Sequence, residues 1–501
     1  MSTFVTHSQW TWITVIAFVL CSARDCRAQP NVEGAWGSLD TWPNVAIHVH
    51  ILPTGKVLFW GRREWKPDGT STNESLHEKD TTPRLWDPAT NAFNTLPKPG
   101  YNLFCSGHAF LSSGKLLVAG GHIKDSSGDF RATMFNCESN AWEPIKPMHA
   151  GRWYPNALTL PDGGILVSGG QQKDGHLNAQ QKIWRDDDWK PTQEHNTLPL
   201  YPRMFSFDGK AFLAGHLKTS QMLDFAGMGG AGEWRTVDES QGQQREEGCF
   251  VMFNPEEVLI VGGGRPPQKT AERIKLSHAA PKWVPAGNMS IERRHHNATI
   301  LPDGTVLVTG GTSGNGGFND VSKPVKVAEN WNPNTNQWVK WASETAPRIY
   351  HSTAVLLPDA RVLSAGGGEF AKESDPDQAN DRADSHLNAQ IFSPPYLFKS
   401  TSDKPRPDIV TCPTDVSYNE EFEVKTSLPN QIAKANWIRL PSVTHSTNMN
   451  QRFNSLAFTV NGAALKVKSP ANPNVCPPGH YMLFLLNADL VPSVARIVRI
   501  H

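Results

Sequence analysis

Apolar and polar positions recur in one unit along the first three quarters of the chain. Each unit is a short apolar run, a tight polar turn and a second apolar run that closes on glycine. The units are Leu52-Pro-Thr-Gly to Gly61, Leu111-Ser-Ser-Gly to Gly121, Leu160-Pro-Asp-Gly to Gly170 and Phe207-Asp-Gly to Gly215. Pro255-Glu-Glu to Gly263, Leu301-Pro-Asp-Gly to Gly311 and Leu357-Pro-Asp-Ala to Gly367 complete the set. The closing glycines step by 60, 49, 45, 48, 48 and 56 residues. Kelch-type propeller blades repeat at about 50 residues. Proline and aspartate preset the turn between antiparallel strands, and paired glycines let backbones approach where blades crowd an axis. Each unit adds an aromatic strand, as in Thr133-Met-Phe-Asn followed by Ala141-Trp142. Seven units predict seven blades.

The repeat ends near Gly368, and the polar stretch Glu373 to Asp384 predicts a loop. From Gln390 to His501 short alternating strands with Pro- and Asn-rich turns predict an immunoglobulin-like, early-set β-sandwich. The expected organisation is all-β: a propeller over 29–388 and a sandwich over 389–501. Residues 1–28 read as an export signal. The apolar run Trp10 to Leu20 is too short to span a bilayer and is followed by small residues up to Ala28. No later segment has the apolar length of a membrane span, so an extracellular, monomeric protein is expected.

Composition narrows the class. With 40 Gly, 38 Pro and 17 Trp the chain is turn-rich β. Forty-eight basic and 48 acidic residues cancel, which argues against nucleic-acid and anionic-membrane partners. Five cysteines follow Ala28, an odd number in an oxidising compartment. Cys412 and Cys476 share the C-terminal domain and are a candidate disulfide; Cys137 and Cys249 are a weaker one. Asn73, Asn288 and Asn297 match the glycosylation acceptor pattern, Asn297 at a strand position that makes its match accidental.

A propeller brings equivalent positions of its blades to one ring. Six residues before the Leu of each turn stand Cys105, Tyr154, His295 and His351, the last preceded by Tyr350, and Ala46 in the first unit. A structural repeat would place similar small or apolar residues there. Singly, each has a bland reading, as a core thiol, a rim tyrosine or a backbone-bonded imidazole. Jointly they read as a metal site, with imidazole nitrogen and phenol oxygen suited to Cu(II). A cysteine beside a tyrosine and a redox metal is also placed to become joined to the ring.

Four motifs then carry a resemblance: Phe104-Cys105-Ser-Gly, Arg152-Trp153-Tyr154-Pro155, Tyr350-His351-Ser352 and Thr444-His445-Ser-Thr-Asn-Met-Asn-Gln451-Arg452. The chain resembles the copper radical oxidases, the family of galactose oxidase and glyoxal oxidase. The resemblance implies one copper ion held by Tyr154, Tyr350, His351 and His445. It implies a Cys105–Tyr154 thioether that carries a radical, and Tyr350 as proton acceptor. His445 would arrive on a hairpin of the C-terminal domain. Dioxygen would leave as hydrogen peroxide.

The context Arg-Trp-Tyr-Pro and Asn-Gln-Arg-Phe resembles glyoxal oxidases, which take small aldehydes as hydrates. Galactose oxidases, which oxidise primary alcohols, place an aromatic eighteen residues past the linked tyrosine. This chain has Gln172 there, which leaves the radical's cover unassigned. Tyr201, Arg203 and His295 are candidate pocket residues. The alternatives are a galactose-oxidase-like alcohol oxidase, a copper protein without turnover, and a non-catalytic propeller that binds protein or glycan.

Overall fold

The structure is a computed structural model; it describes residues 29–65, 80–195, 197–226, 230–370 and 384–501. The expected export signal, Asn73 and most of the stretch Glu373–Asp384, expected as a loop, lie outside the described residues.

The seven units fold as seven antiparallel blades. Blade 1 is built from His48–Ile51, Val57–Trp60, Arg84–Asp87 and Ala92–Thr95. Blades 2, 3 and 4 begin at Gly107, Asn156 and Arg203 and have four strands each. The long strand Trp283–Ile300 ends blade 5 and opens blade 6, so those two share one continuous sheet. Inner strands are buried on both faces, as in Gly107–Phe110 and Asn156–Thr159. Blade 7 packs its inner strand Ser352–Leu356 on His48–Ile51 and closes the ring. Its outer strand is the N-terminal Ala35–Trp36, paired with Phe392 and Ser393.

That pairing moves one boundary. Asn388–Ser393 belongs to blade 7, with Phe392 opposite Val362 and Ala389 opposite Ala365. The expected break between 388 and 389 therefore falls inside a propeller strand. The change of pattern belongs to Pro394 and Pro395, which follow the strand. Beyond them a five-stranded and a three-stranded sheet form the sandwich. Its strand Glu421–Lys425 alternates exposed and buried, the mark of a one-sided strand.

The glycine pairs join the blades. Gly310 has φ +67°, and a Cβ there would collide with the carbonyl oxygen of Arg348. Its neighbour Gly311 donates its N–H to that carbonyl at 2.6 Å, and Gly263 donates likewise to Arg293 at 2.8 Å. Each arginine then turns its side chain back onto its own blade. Arg293 donates to Gly310 O at 3.1 Å and to Glu329 at 2.5 Å. Arg245 donates to Glu272 at 2.6 Å, and Arg348 to Gly366 O at 2.8 Å and Glu344 at 2.9 Å. One residue thus ties two blades.

The C-terminal domain enters the propeller through one hairpin. Ser442–Thr444 adds to the inner edge of blade 1, with His48 opposite Thr444 and His50 opposite Ser442.

All five described cysteines are free, so neither candidate disulfide is formed. Cys249 instead donates to His296 O at 3.0 Å. Asn297 is buried and donates to Ser352 Oγ at 3.1 Å, which among the described residues leaves Asn288 as the exposed acceptor.

Candidate active site

The ring position has a backbone signature. Cys105, Tyr154, Tyr201, Glu247, His295 and His351 all have φ between +46° and +66°. The left-handed region costs a non-glycine residue roughly 1–2 kcal/mol, so six occurrences at one repeat position mark an imposed turn. The turns are stitched together. Tyr154 N–H donates to Cys105 O at 2.9 Å, Tyr201 N–H to Tyr154 O at 2.7 Å and His295 N–H to Glu247 O at 2.8 Å. Ala46, the blade 1 counterpart, is not among the left-handed residues.

The structure brings together the five residues named for the centre. The phenol oxygens of Tyr154 and Tyr350 share a hydrogen bond. The His445 ring lies 4.6 Å from the Tyr154 ring, 5.5 Å from Tyr350 and 4.7 Å from His351, centroid to centroid. The Cys105 thiol interacts with Tyr154. All are buried. Burial pushes both phenols up, Cys105 raising them further, and pushes both imidazoles down.

Two atoms stand out. His351 Nδ1 is 2.5 Å from Gly368 O. A carbonyl only accepts, so the proton sits on Nδ1 and Nε2 keeps its lone pair. His445 Nδ1 is 2.6 Å from Thr444 Oγ1. Both Nε2 atoms are buried with no hydrogen-bond partner. Two oriented imidazole nitrogens with bare Nε2, beside two phenols, fit a metal that takes nitrogen and oxygen. Among the described residues no three His, Cys, Asp or Glu are placed to hold a metal ion by themselves, which agrees with a donor set that is half phenol.

Above lies a cavity of about 610 Å³. Tyr154, Tyr350 and His445 form part of its wall, as do the expected Tyr201 and Arg203. Tyr201 stacks on Tyr154 at 4.5 Å and 29°. Arg203 donates to Tyr201 O at 2.9 Å and His445 O at 3.4 Å. His295 is not a wall residue. It stands behind Tyr350, with Nε2 at 2.8 Å from Phe318 O and Nδ1 at 3.4 Å from Glu247.

Two residues escaped the sequence reading. Glu247 is the ring residue of blade 5 and lines the cavity. Burial opposes its charge, but His295, Arg203 and His216 outweigh that and hold its carboxyl down at about 2. Trp153 covers Tyr154 at 3.7 Å and 12°, and its Nε1–H donates to His122 Nδ1 at 3.2 Å. The cover absent at Gln172 comes from the residue just before the tyrosine.

The glyoxal oxidase N-terminus family matches residues 254–396, and the galactose oxidase-like early set domain matches 406–500. A galactose oxidase of Gibberella zeae is 27% identical over 98% of this chain and 74% of its own length. An aldehyde oxidase GLOX of Vitis pseudoreticulata is 29% identical over 90% of this chain and 91% of its own. A solved fungal alcohol oxidase of the AA5 family, in complex with copper, shares the fold. Its TM-score is 0.79 at 24% identity, over 93% of this chain and 99% of that one. Two family matches in order and these relatives make the chain similar to the glyoxal oxidases and galactose oxidases, the copper radical oxidases, and its fold is that of the solved alcohol oxidase.

Proposed function

We propose that the chain is an exported oxidase that converts small aldehydes to carboxylic acids and reduces O2 to hydrogen peroxide. His351, His445, Tyr350 and Tyr154 would hold one copper ion. The observation that carries this is the pair of bare, buried Nε2 atoms beside the two phenols at the cavity wall. Copper, when bound, supplies a one-electron acceptor and a seat for the substrate oxygen.

The remaining chemistry belongs to the chain. An aldehyde enters as its hydrate, a gem-diol. Tyr350 takes the hydroxyl proton as a positioned base. Tyr154, joined to Cys105, takes the hydrogen atom from the substrate carbon. Trp153 shields that ring from the cavity water. The balance is RCH(OH)2 + O2 giving RCOOH + H2O2. Residues 1–28 would be removed on export.

The aldehyde reading is supported by the Vitis relative, of which the chain covers 91%. The size of the cavity and its charged Arg203 and Glu247 favour a second reading, oxidation of a larger primary alcohol. A peroxide-coupled assay on copper-loaded protein separates them. Glyoxal, methylglyoxal and glycolaldehyde are expected to give peroxide well above glycerol and galactose. Peroxide from galactose alone would select the second reading, and peroxide from none would select a binding propeller.

A further inference from the structure

Blade 1 breaks the ring with Ala46 and supplies something else. Its inner strand carries His48 and His50, which share one face. Both are fully buried, as is His108 of blade 2. His48 Nε2 accepts the amide N–H of Cys105 at 3.1 Å. An accepting ring nitrogen carries no proton, so the proton of the neutral ring is on Nδ1. Nδ1 lies 3.0 Å from His108 Nε2 and donates to it. His108 is then protonated on Nδ1, which lies 2.6 Å from Ser442 Oγ. His50 Nδ1 meets the same hydroxyl at 2.9 Å. Trp60 stacks on both blade 1 rings, at 5.1 Å and 13° for His48 and 4.7 Å and 29° for His50.

The chain of hydrogen bonds has one direction, from the Cys105 amide through two imidazoles to Ser442. Its ends are the two places on which the site depends. Cys105 supplies the thiol, and Ser442 begins the strand that ends beside His445. The left-handed turn takes the Cys105 amide out of the strand ladder, which starts at Gly107. Without His48 that amide would be buried and unpaired.

We propose that His48 is a positioning residue for formation of the Cys105–Tyr154 thioether: through His108 and Ser442 it fixes the Cys105 backbone against the hairpin that brings His445. This rests on reading Cys105 and Tyr154 as a linked pair. In the linking step the Cys105 S–H and one ring C–H of Tyr154 break and one C–S bond forms. Two electrons and two protons pass to dioxygen, which becomes hydrogen peroxide. A sulfur displaced by about 1 Å from the ring carbon loses the reactive geometry.

The test follows cross-linking in metal-free protein after Cu(II) is added in air. Mobility on a denaturing gel and the loss of two hydrogens in the intact mass report the bond; circular dichroism reports the fold. His48→Leu should cross-link at least about tenfold more slowly than wild type, the scale of effects behind a metal site. His48→Gln, whose Oε1 accepts the Cys105 amide while Nε2 donates to His108, should recover most of the rate. Ser442→Ala cuts the far end and should slow linking by a smaller factor. Wild-type rates in folded His48→Leu, or a His48→Gln as slow as the leucine variant, overturn the proposal. If His48→Leu does not fold, a wild-type rate in Ser442→Ala overturns it. Wild type that never cross-links overturns the reading of the pair itself.

Discussion

Two positions of the same repeat, two or three residues apart, are under opposite demands. Arg152, Arg245, Arg293 and Arg348 hold the same residue in four blades, and all donate to the carbonyl of a glycine in their own blade. Tyr154, Glu247, His295 and His351 follow them, each in the left-handed region, and three kinds of side chain appear. The first position is fixed because one partner is always backbone: a glycine carbonyl has the same shape in every blade. The second is free because its side chain faces the channel mouth and is not needed to join blades. A repeat thus shows its chemistry where it stops repeating. Neighbouring substitutions should separate the two demands.

The largest effect is expected at the ring. Tyr154→Phe removes the oxygen shared with Tyr350 and the ring electron-rich enough to form a radical. Peroxide output from whichever substrate proves best should fall by on the order of 10³-fold or more. The melting temperature should barely move, since the ring still fills its place between Trp153 and Tyr201. A variant that melts far below wild type would show that the ring position also bears the fold. Two residues from a ring position, Arg293→Ala should do the reverse. It leaves Glu329, 1% exposed, as an unpaired buried carboxylate. Breaking such a pair costs about 3–5 kcal/mol, read by denaturant unfolding. Any activity that survives in the folded fraction should be near normal per molecule.

A smaller effect tests the orientation of one imidazole. Thr444→Val removes the oxygen at 2.6 Å from His445 Nδ1 and keeps the side-chain shape. Copper affinity, measured by competition with a chelator, should weaken by about 10–100-fold, with stability close to wild type. An unchanged affinity would mean that packing alone sets the ring.

How far the sequence led depends on where the repeat stayed in step. The turn and glycine spacing located all seven blades, and counting six residues back from the turn reached Cys105, Tyr154, His295 and His351. Glu247 was missed because strand Cys249–Asn254 has a bulge between Met252 and Asn254. Its turn, Asn254-Pro255-Glu256, also has no Leu from which to count back. Trp153 was missed for another reason. Adjacent residues on extended backbone point to opposite sides, and only the left-handed turn at Tyr154 lets the two rings stack. His295 was placed on the pocket wall by its register, which fixes a backbone position and not which way a ring turns. The His48–His108–Ser442 chain joins three distant segments and has no local signal at all.

An effect that is nearly absent at pH 8 and grows only on acidification sits where the fixed position itself gives way. Blade 4 carries His216 in the second glycine place, after Gly215. Here the blade-joining bond is reversed, the His216 carbonyl accepting from Arg245 N–H at 3.0 Å, and its side chain lines the cavity. Burial, then Arg203, lowers its imidazole from the usual value to about 4. The unfolded chain binds a proton there below about pH 6.5 that the folded chain refuses until about pH 4. Between those values the unfolded state holds more protons, so stability rises with pH and is lost as pH falls. The slope from this one group is at most about 1.4 kcal/mol per pH unit. His216→Gln should therefore flatten the acid side of the stability curve by up to that amount between pH 6.5 and 4, and leave stability at pH 8 nearly unchanged. Denaturant unfolding of metal-free protein at pH 8, 5.5 and 4.5 measures both. Parallel curves for variant and wild type would mean that His216 takes its proton in the cavity as readily as in water, and that a residue in the glycine place answers to the ring rather than to the clamp.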